Sequence, residues 1–277
     1  MDPLVQHRAV LGESPIWDAA QNILWWVDIK SREIHQYAEG VHQIHRLSIR
    51  PSALGCLSSS ELIVAGDNGV YRYEPQERRL TLLIEIPEVS TNRCNDGKVG
   101  PDGAFWFGTM DDREQEATGA LYSLHPKRGL TKHLDNIGIS NTLAWSPDAQ
   151  KMYFADSAQQ LIWVMDFDKE TGRLGQREIF VSLQGTAYYP DGSAMDNQGC
   201  LWNAQWGGAR VVRYSEAGEE LQILSIPTSQ PTSCAFVNEH LLVTTASIGL
   251  SAEEQAGQTF LIPVGVAGST VPTTLEF

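Results

Sequence analysis

The residues of this chain best placed to do chemistry are Glu13, Asn95, Asn141 and Asp191. Each lies in a short segment rich in Gly, Pro or small polar residues: Leu11-Gly12-Glu13-Ser14-Pro15, Arg93-Cys94-Asn95-Asp96-Gly97, Ser140-Asn141-Thr142-Leu143-Ala144 and Tyr189-Pro190-Asp191-Gly192. An acidic residue between Pro190 and Gly192 is not there for strand propensity. A turn presenting a carboxylate at one end of a repeated β unit is a place to hold a metal or a reacting water. The four residues offer two carboxylates and two amides, with no imidazole or thiolate. Such an oxygen-only set suits a hard divalent cation, Ca²⁺, Mg²⁺ or Mn²⁺, and its two negative charges balance one ion. Taken singly, each residue also reads as a turn: Glu13 precedes Pro15, and Asx side chains cap turns through their own backbone. The two readings separate on whether the fold brings these distant positions to one point.

The densest apolar runs indicate that it does. They are Leu24-Trp25-Trp26-Val27, Leu62-Ile63-Val64-Ala65, Phe105-Trp106-Phe107, Met152-Tyr153-Phe154-Ala155, Leu201-Trp202-Asn203-Ala204 and Leu241-Leu242-Val243-Thr244, recurring at intervals of roughly 38 to 49 residues. That is the spacing of four-stranded propeller blades. Each unit repeats one grammar: a short strand, a turn such as Ser146-Pro147-Asp148-Ala149 or Asp196-Asn197-Gln198-Gly199, the apolar run, then an alternating strand such as Arg210-Val211-Val212-Arg213-Tyr214. No segment carries the i, i+3, i+4 pattern of a helix. Six units use up the chain, so the expected fold is all-β, a six-bladed β-propeller forming a single domain over residues 1–277. Two β-sandwich domains are the alternative, and such uniform four-strand modules argue against them. In a propeller the innermost strands start near one face of the central channel, so Glu13, Asn95, Asn141 and Asp191 would meet there. Ring closure is expected from Gln6-His7-Arg8-Ala9-Val10 and Thr259-Phe260-Leu261-Ile262-Pro263 sharing a blade.

Composition excludes several partners. Lys and Arg number 20 against 34 Asp and Glu, a formal charge of −14, and no basic block interrupts this. Nucleic acid and anionic membrane both require a positive footprint, so neither is expected. No stretch approaches the roughly 18 apolar residues of a membrane span, and the first residues lack the apolar core of a signal peptide, so a soluble, cytoplasmic protein is expected. Cys56, Cys94, Cys200 and Cys234 form no C-x-x-C pair and read as reduced thiols, Cys94 lying near the candidate site. His42-x-x-His45 has no accompanying Glu or helix and makes a poor metal pair, and no G-x-S-x-G elbow is present.

The segments Leu11-Gly12-Glu13-Ser14-Pro15-Ile16-Trp17, Arg93-Cys94-Asn95-Asp96-Gly97-Lys98-Val99, Ser140-Asn141-Thr142-Leu143-Ala144-Trp145-Ser146-Pro147-Asp148 and Tyr189-Pro190-Asp191-Gly192 resemble the signature segments of the gluconolactonase/regucalcin (senescence marker protein) family, in order and over nearly the full length. The resemblance implies a six-bladed propeller that opens sugar lactones with a divalent metal at the channel mouth. It implies Glu13, Asn141 and Asp191 as metal ligands, Arg93 and Asn95 as substrate contacts, and Asp191 as the base. It admits Ca²⁺, Zn²⁺, Mn²⁺ or Fe²⁺, with Ca²⁺ the first candidate, and a small sugar lactone, pentono- or hexono-, as the partner. Two positions depart from the family pattern. Thr142 stands where a Gly usually follows the liganding Asn, which is strained if that position needs a positive φ. Arg113 stands where some members carry a substrate-contacting carboxylate, and reads either as a grip on an acidic lactone or as a solvated loop residue.

Asp191 would then act as general base beside the metal, with Arg93 and Asn95 positioning the sugar. Trp17, Trp106, Trp145 and Trp202 read as core, with Trp206 left open between core and sugar stacking; Asp96 reads as the start of an Asp96-Gly97 turn with some supporting role. Rival readings are a calcium-binding regulatory propeller without turnover, a broader lactonase or organophosphate-type esterase, and a protein-interaction propeller.

Overall fold

The computed structural model describes residues 1–87, 90–269 and 275. The chain folds into six antiparallel sheets. The first holds β1 (Gly12–Asp18), β2 (Ile23–Asp28), β3 (Glu33–Ala38) and β4 (Val41–Arg46). The second holds β5 (Ala53–Ser58), β6 (Glu61–Ala65), β7 (Gly69–Glu74) and β8 (Arg79–Glu85). The third holds β9 (Asn92–Val99), β10 (Phe105–Asp111), β11 (Gly119–His125) and β12 (Gly129–Ile137). In the fourth, β13 (Ser140–Trp145), β14 (Lys151–Asp156) and β15 (Leu161–Asp168) are followed by β16 (Arg173–Leu174) and β17 (Glu178–Ser182), both paired to β15. The fifth holds β18 (Tyr189–Met195), β19 (Leu201–Trp206), β20 (Arg210–Tyr214) and β21 (Glu220–Ser225), and the sixth β22 (Pro231–Val237), β23 (His240–Thr245) and β24 (Phe260–Pro263). The first strands of the sheets, β1, β5, β9, β13, β18 and β22, neighbour one another around a central channel, giving the six-bladed propeller.

The apolar runs of the sequence are the second strands, and their side chains fill the wedges between blades. Trp106 of the third blade packs with Trp145 and Phe154 of the fourth, and Trp202 of the fifth with Cys234 and Val243 of the sixth. An Asp in the turn before the second strand fastens two of these modules. Asp102 accepts Trp106 Nε1 at 2.9 Å and Arg128 Nη2 at 2.5 Å; Asp196 accepts Trp202 Nε1 at 3.0 Å and Arg213 Nε at 2.8 Å.

Two sequence expectations are corrected. Among the described residues the terminal segments do not form a shared blade: the sixth sheet has three strands, and residues 6–10 form none. The N-terminal segment runs instead beside the residues leading into β24. Leu4 N donates to Thr259 O at 2.7 Å and Ala9 N to Gly257 O at 2.8 Å, while Ser247 N donates to Val10 O at 3.1 Å. Ring closure is thus by hydrogen bonds from an irregular segment. Second, the Pro/Gly-rich segments around Glu13, Asn95, Asn141 and Asp191 are not turns. They lie inside β1, β9, β13 and β18. An innermost strand pairs on one edge only, so Pro15, Pro190 and Pro231 are tolerated there.

At β1 and β13 the start of the strand is set by a buried Asp at the end of the neighbouring one. Asp28, closing β2, accepts Val10 N and Leu11 N at 2.7 and 3.1 Å, just ahead of Glu13. Asp156, closing β14, accepts Gly138 N and Ile139 N at 2.9 Å each, Ala158 N at 3.1 Å and Gln159 Nε2 at 2.9 Å, just ahead of Asn141. Asp156→Ala therefore orphans several donors at a fully buried position, and a loss of about 3 kcal/mol or more is expected from urea unfolding. A loss below about 1 kcal/mol would mean that the loop is held by something else.

Candidate functional site

Glu13, Asn95, Asn141 and Asp191 all sit near the start of an innermost strand, and in each strand the register slips at that point. The irregularities fall between Glu13 and Ile16, Cys94 and Gly97, Asn141 and Ala144, and Pro190 and Ser193. A bulge re-aims side chains that regular pleating would send into the blade. Two bulges use left-handed backbone at the residue after the functional one, Ser14 at φ 49° and Thr142 at φ 55°. Thr142 thus stands in a conformation that glycine would adopt freely, and its side-chain hydrogen bonds offset the strain. Thr142 Oγ1 donates to Asp191 O at 2.5 Å, lies 3.0 Å from Ser193 Oγ and accepts from Asn203 Nδ2 at 3.1 Å. Ser14 makes the matching inter-blade link, its Oγ accepting Leu54 N at 2.9 Å. At Gly192 no side chain fits, since a Cβ would lie 2.1 Å from Ser233 Oγ.

A continuous hydrogen-bond relay joins most of the predicted residues. Arg93 Nη1 donates to Asn95 Oδ1 at 2.8 Å, and Asn95 Nδ2 donates to Asn141 Oδ1 at 3.2 Å and Ser140 O at 2.9 Å. Asn141 Nδ2 donates to Ser157 Oγ at 2.8 Å, which donates to Pro190 O at 2.5 Å, beside Asp191. The relay fixes both amides, aiming Asn141 Oδ1 back toward Asn95. Arg93 is itself held by Asp112, through Nε to Oδ1 at 2.9 Å, and Asp112 also accepts Arg50 Nη1.

Glu13, Asp191 and Asp96 are buried close enough to act on one another. Burial, and then the charge of Asp96, push the Glu13 carboxyl from its usual 4.5 up to about 8. Asp191 is raised well above the usual carboxylate range by burial and by the charges of Glu13 and Asp96. Asp96 is raised by burial, against the pull of Lys98 and of backbone N–H groups. Lys98, whose Nζ donates to Ser193 O at 2.6 Å, lies deeper in the channel, and burial lowers its pKa. Beyond it the channel opens into a 400 Å³ cavity of apolar character, lined by Pro15, Trp17, Leu54, Trp145 and Met195. That cavity is at the opposite end from the carboxylates. A second cavity of 320 Å³, lined by Arg50, Arg93, Cys94 and Thr109, adjoins the site.

Sequence reasoning underrated Asp96, which lies within β9, buried, and not in a turn. It missed Asp112, Ser157 and Lys98, whose roles follow from inter-blade distances without any motif; the Arg93-to-Val99 segment carried the only hint of Lys98. Arg113 has a side chain 57% exposed and bonds Asp111 at 3.3 Å, as the solvated reading has it. Trp106, Trp145 and Trp202 are fully buried, while Trp17 and Trp206 are half-buried. His42 and His45 do not converge, bonding instead to His35, and to Tyr73 and Gln36. All four cysteines are buried and no disulfide joins them.

Two outcomes follow. Thr142→Val keeps the shape but removes the hydroxyl, so a loss of about 1–3 kcal/mol is expected in urea unfolding; an unchanged midpoint would mean that the bonds across to β18 contribute nothing. In metal-free protein, Glu13 keeps in the folded state a proton that the unfolded chain releases. Its contribution to stability is therefore complete below about pH 4.5 and lost as pH rises toward about 8. Glu13→Gln should accordingly gain on the parent, by the order of a few kcal/mol, between pH 5 and pH 8. A difference that does not vary with pH would contradict the raised pKa.

The comparisons with known proteins agree with this geometry. Residues 11–247 match the family model described as the SMP-30/Gluconolactonase/LRE-like region. The chain is 33% identical over 279 residues to regucalcin of Gallus gallus, covering 94% of this chain and 93% of that protein. It is 32% identical over 282 residues to 6-deoxy-6-sulfogluconolactonase of Pseudomonas putida, covering 97% and 96%. Among solved structures, a calcium-binding protein, regucalcin, from Agrobacterium tumefaciens str. C58 superposes with a TM-score of 0.93 at 32% identity, covering 99% of this chain and 96% of that one. A propeller of this form, with the signature segments at one end of its channel, belongs to the SMP-30/gluconolactonase family.

Proposed function

We propose that residues 1–277 act as one lactonase domain that hydrolyses a sugar lactone, pentono- or hexono-, to the aldonic acid with the help of a divalent cation. The observation that carries this reading is the meeting of the Glu13 and Asp191 carboxylates with the Asn95–Asn141 amide pair at one end of the channel. The donor set fits a cation: all its ligand atoms are oxygens and the two carboxylates repel one another, while the Ser157 bond fixes the Asn141 amide with its Oδ1 on the side of Asn95. Glu13, Asn141 and Asp191 would hold the ion, with Ca²⁺ first in line and Zn²⁺, Mn²⁺ or Fe²⁺ as the other candidates. Calcium comes first because the Agrobacterium relative is described as calcium-binding. When bound, the ion would supply Lewis acidity toward the lactone carbonyl and the leaving ring oxygen.

The chain's own residues supply the rest. Asp191 takes the proton of the attacking water, and it can do so only when ionised, a form that positive charge beside Glu13 and Asp96 favours. Its backbone carbonyl is clamped by Thr142 and Asn203, so its side chain works from a fixed base. Arg93 spends Nε on Asp112 and Nη1 on Asn95 and Cys94 O, leaving Nη2 for sugar oxygens. Asn95, locked by both amide ends, positions the ring. The cavity beside Arg93 gives the sugar room.

A calcium-binding propeller without turnover is the second reading, favoured by the description of the Agrobacterium relative. A pH-indicator assay separates the two, using metal-stripped protein, a panel of aldonolactones and one acidic lactone, with each cation added back. Acid release above the spontaneous rate that requires metal, and falls by more than about 10⁴ in Asp191→Ala, is expected. Tight metal binding with no release from any lactone would favour the second reading.

A further inference from the structure

The first blade holds a second cluster of ligand-bearing side chains, two strands out from the innermost strand that carries Glu13 and different in kind. Glu33 Oε2 lies 3.7 Å from His7 Nε2 and 3.6 Å from His35 Nε2, and the three ligand atoms lie within 4.8 Å of one another. Neither Nε2 has a hydrogen-bond partner among the described residues, although both atoms are buried, and His35 is wholly inaccessible to solvent. Separations of 3.6 and 3.7 Å exceed a hydrogen bond. They approach the edge of about 3.3 Å between neighbouring ligands of a tetrahedral ion bound at roughly 2.0–2.1 Å.

We propose that His7, Glu33 and His35 form a metal site for a borderline divalent ion such as Zn²⁺, with water as the remaining ligand. The surrounding contacts orient each donor as metal ligands require. His35 Nδ1 is bonded to His42 Nε2 at 3.0 Å, which leaves Nε2 facing Glu33. Glu33 Oε1 accepts Arg46 Nε at 3.2 Å, freeing Oε2 for the ion. Trp26 stacks on both His35 and His42, with ring centroids 5.1 and 5.4 Å away. The side chain of His7 is 24% exposed, which gives ion and water a way in.

The position gives the site a structural consequence. His7 belongs to the N-terminal segment that Leu4 and Ala9 bond to Thr259 and Gly257, next to the last blade. Glu33 and His35 belong to β3 of the first blade. An ion shared between them ties the closing segment to the first blade. The imidazole–carboxylate set also selects differently from the oxygen-only channel set, preferring Zn²⁺ or Co²⁺ to Ca²⁺.

The test is a Co²⁺ titration of the full-length, metal-stripped chain carrying Glu13→Gln and Asp191→Asn, so that the channel cannot contribute. One equivalent should bind with the intense visible absorption of a tetrahedral N/O site, be displaced by Zn²⁺ and not by Ca²⁺, and raise the melting temperature. His7→Gln and, separately, Glu33→Gln should each weaken binding at least tenfold. Of the two, His7→Gln lies on the rim and is expected to melt as its parent does without metal. Absence of a stoichiometric absorbing complex in the parent, or unchanged affinity in His7→Gln, would overturn the proposal.

Discussion

Three carboxylates share the end of one narrow channel, and most of the surrounding structure can be understood from that repulsion. Glu13, Asp96 and Asp191 come from three different blades and are removed from water; burial raises the pKa of all three, the charge of Asp96 raises Glu13 further, and Glu13 and Asp96 together raise Asp191. Lys98 sits below them with its ammonium bonded to a backbone carbonyl, and Arg93 is engaged by Asp112. The fixed positive charge nearby is therefore partly spent elsewhere. An arrangement of this kind is held against its own electrostatics by the rest of the propeller, and a small cation bound among the carboxylates would relieve it.

The propeller supplies the holding force in two ways. Tryptophans and other large side chains of the second strands lock each wedge between blades, so the innermost strands cannot drift apart. Buried acceptors such as Asp28 and Asp156 then fix where those strands begin. Within this frame the bulges and the left-handed Thr142 can be maintained. The hydrogen bonds that Thr142 makes to Asp191 O and Ser193 couple the amide side of the site to its carboxylate side. A threonine rather than a glycine at this left-handed position therefore exchanges conformational ease for an inter-blade link.

Much of this was legible in the sequence, and what escaped has a common cause. The spacing of the apolar runs and the turn-like punctuation identify six blades because each blade repeats one local pattern. The four converging residues follow once the strands are placed in a ring. The Pro- and Gly-rich segments misled as turns because bulged strands with one free edge tolerate the same residues that turns do. Ser157, Asp112 and Lys98 carry no signal of their own. Their roles come from contacts between blades, such as Ser157 Oγ reaching Pro190 O, which no local spacing encodes. The histidine cluster was equally hidden: His42 and His45 look paired along the chain, yet it is His7, from before the first strand, that meets His35.

The central claim is that Glu13, Asn141 and Asp191 bind one divalent cation together. Its most direct measurement is anomalous diffraction from a crystal of metal-stripped protein soaked in Ca²⁺ or Mn²⁺. The account predicts one strong peak at the carboxylate end of the channel, with an oxygen of each of the three side chains at about 2.1–2.6 Å. A fully soaked crystal with no peak there, or with an ion that touches only one of the three, would contradict it.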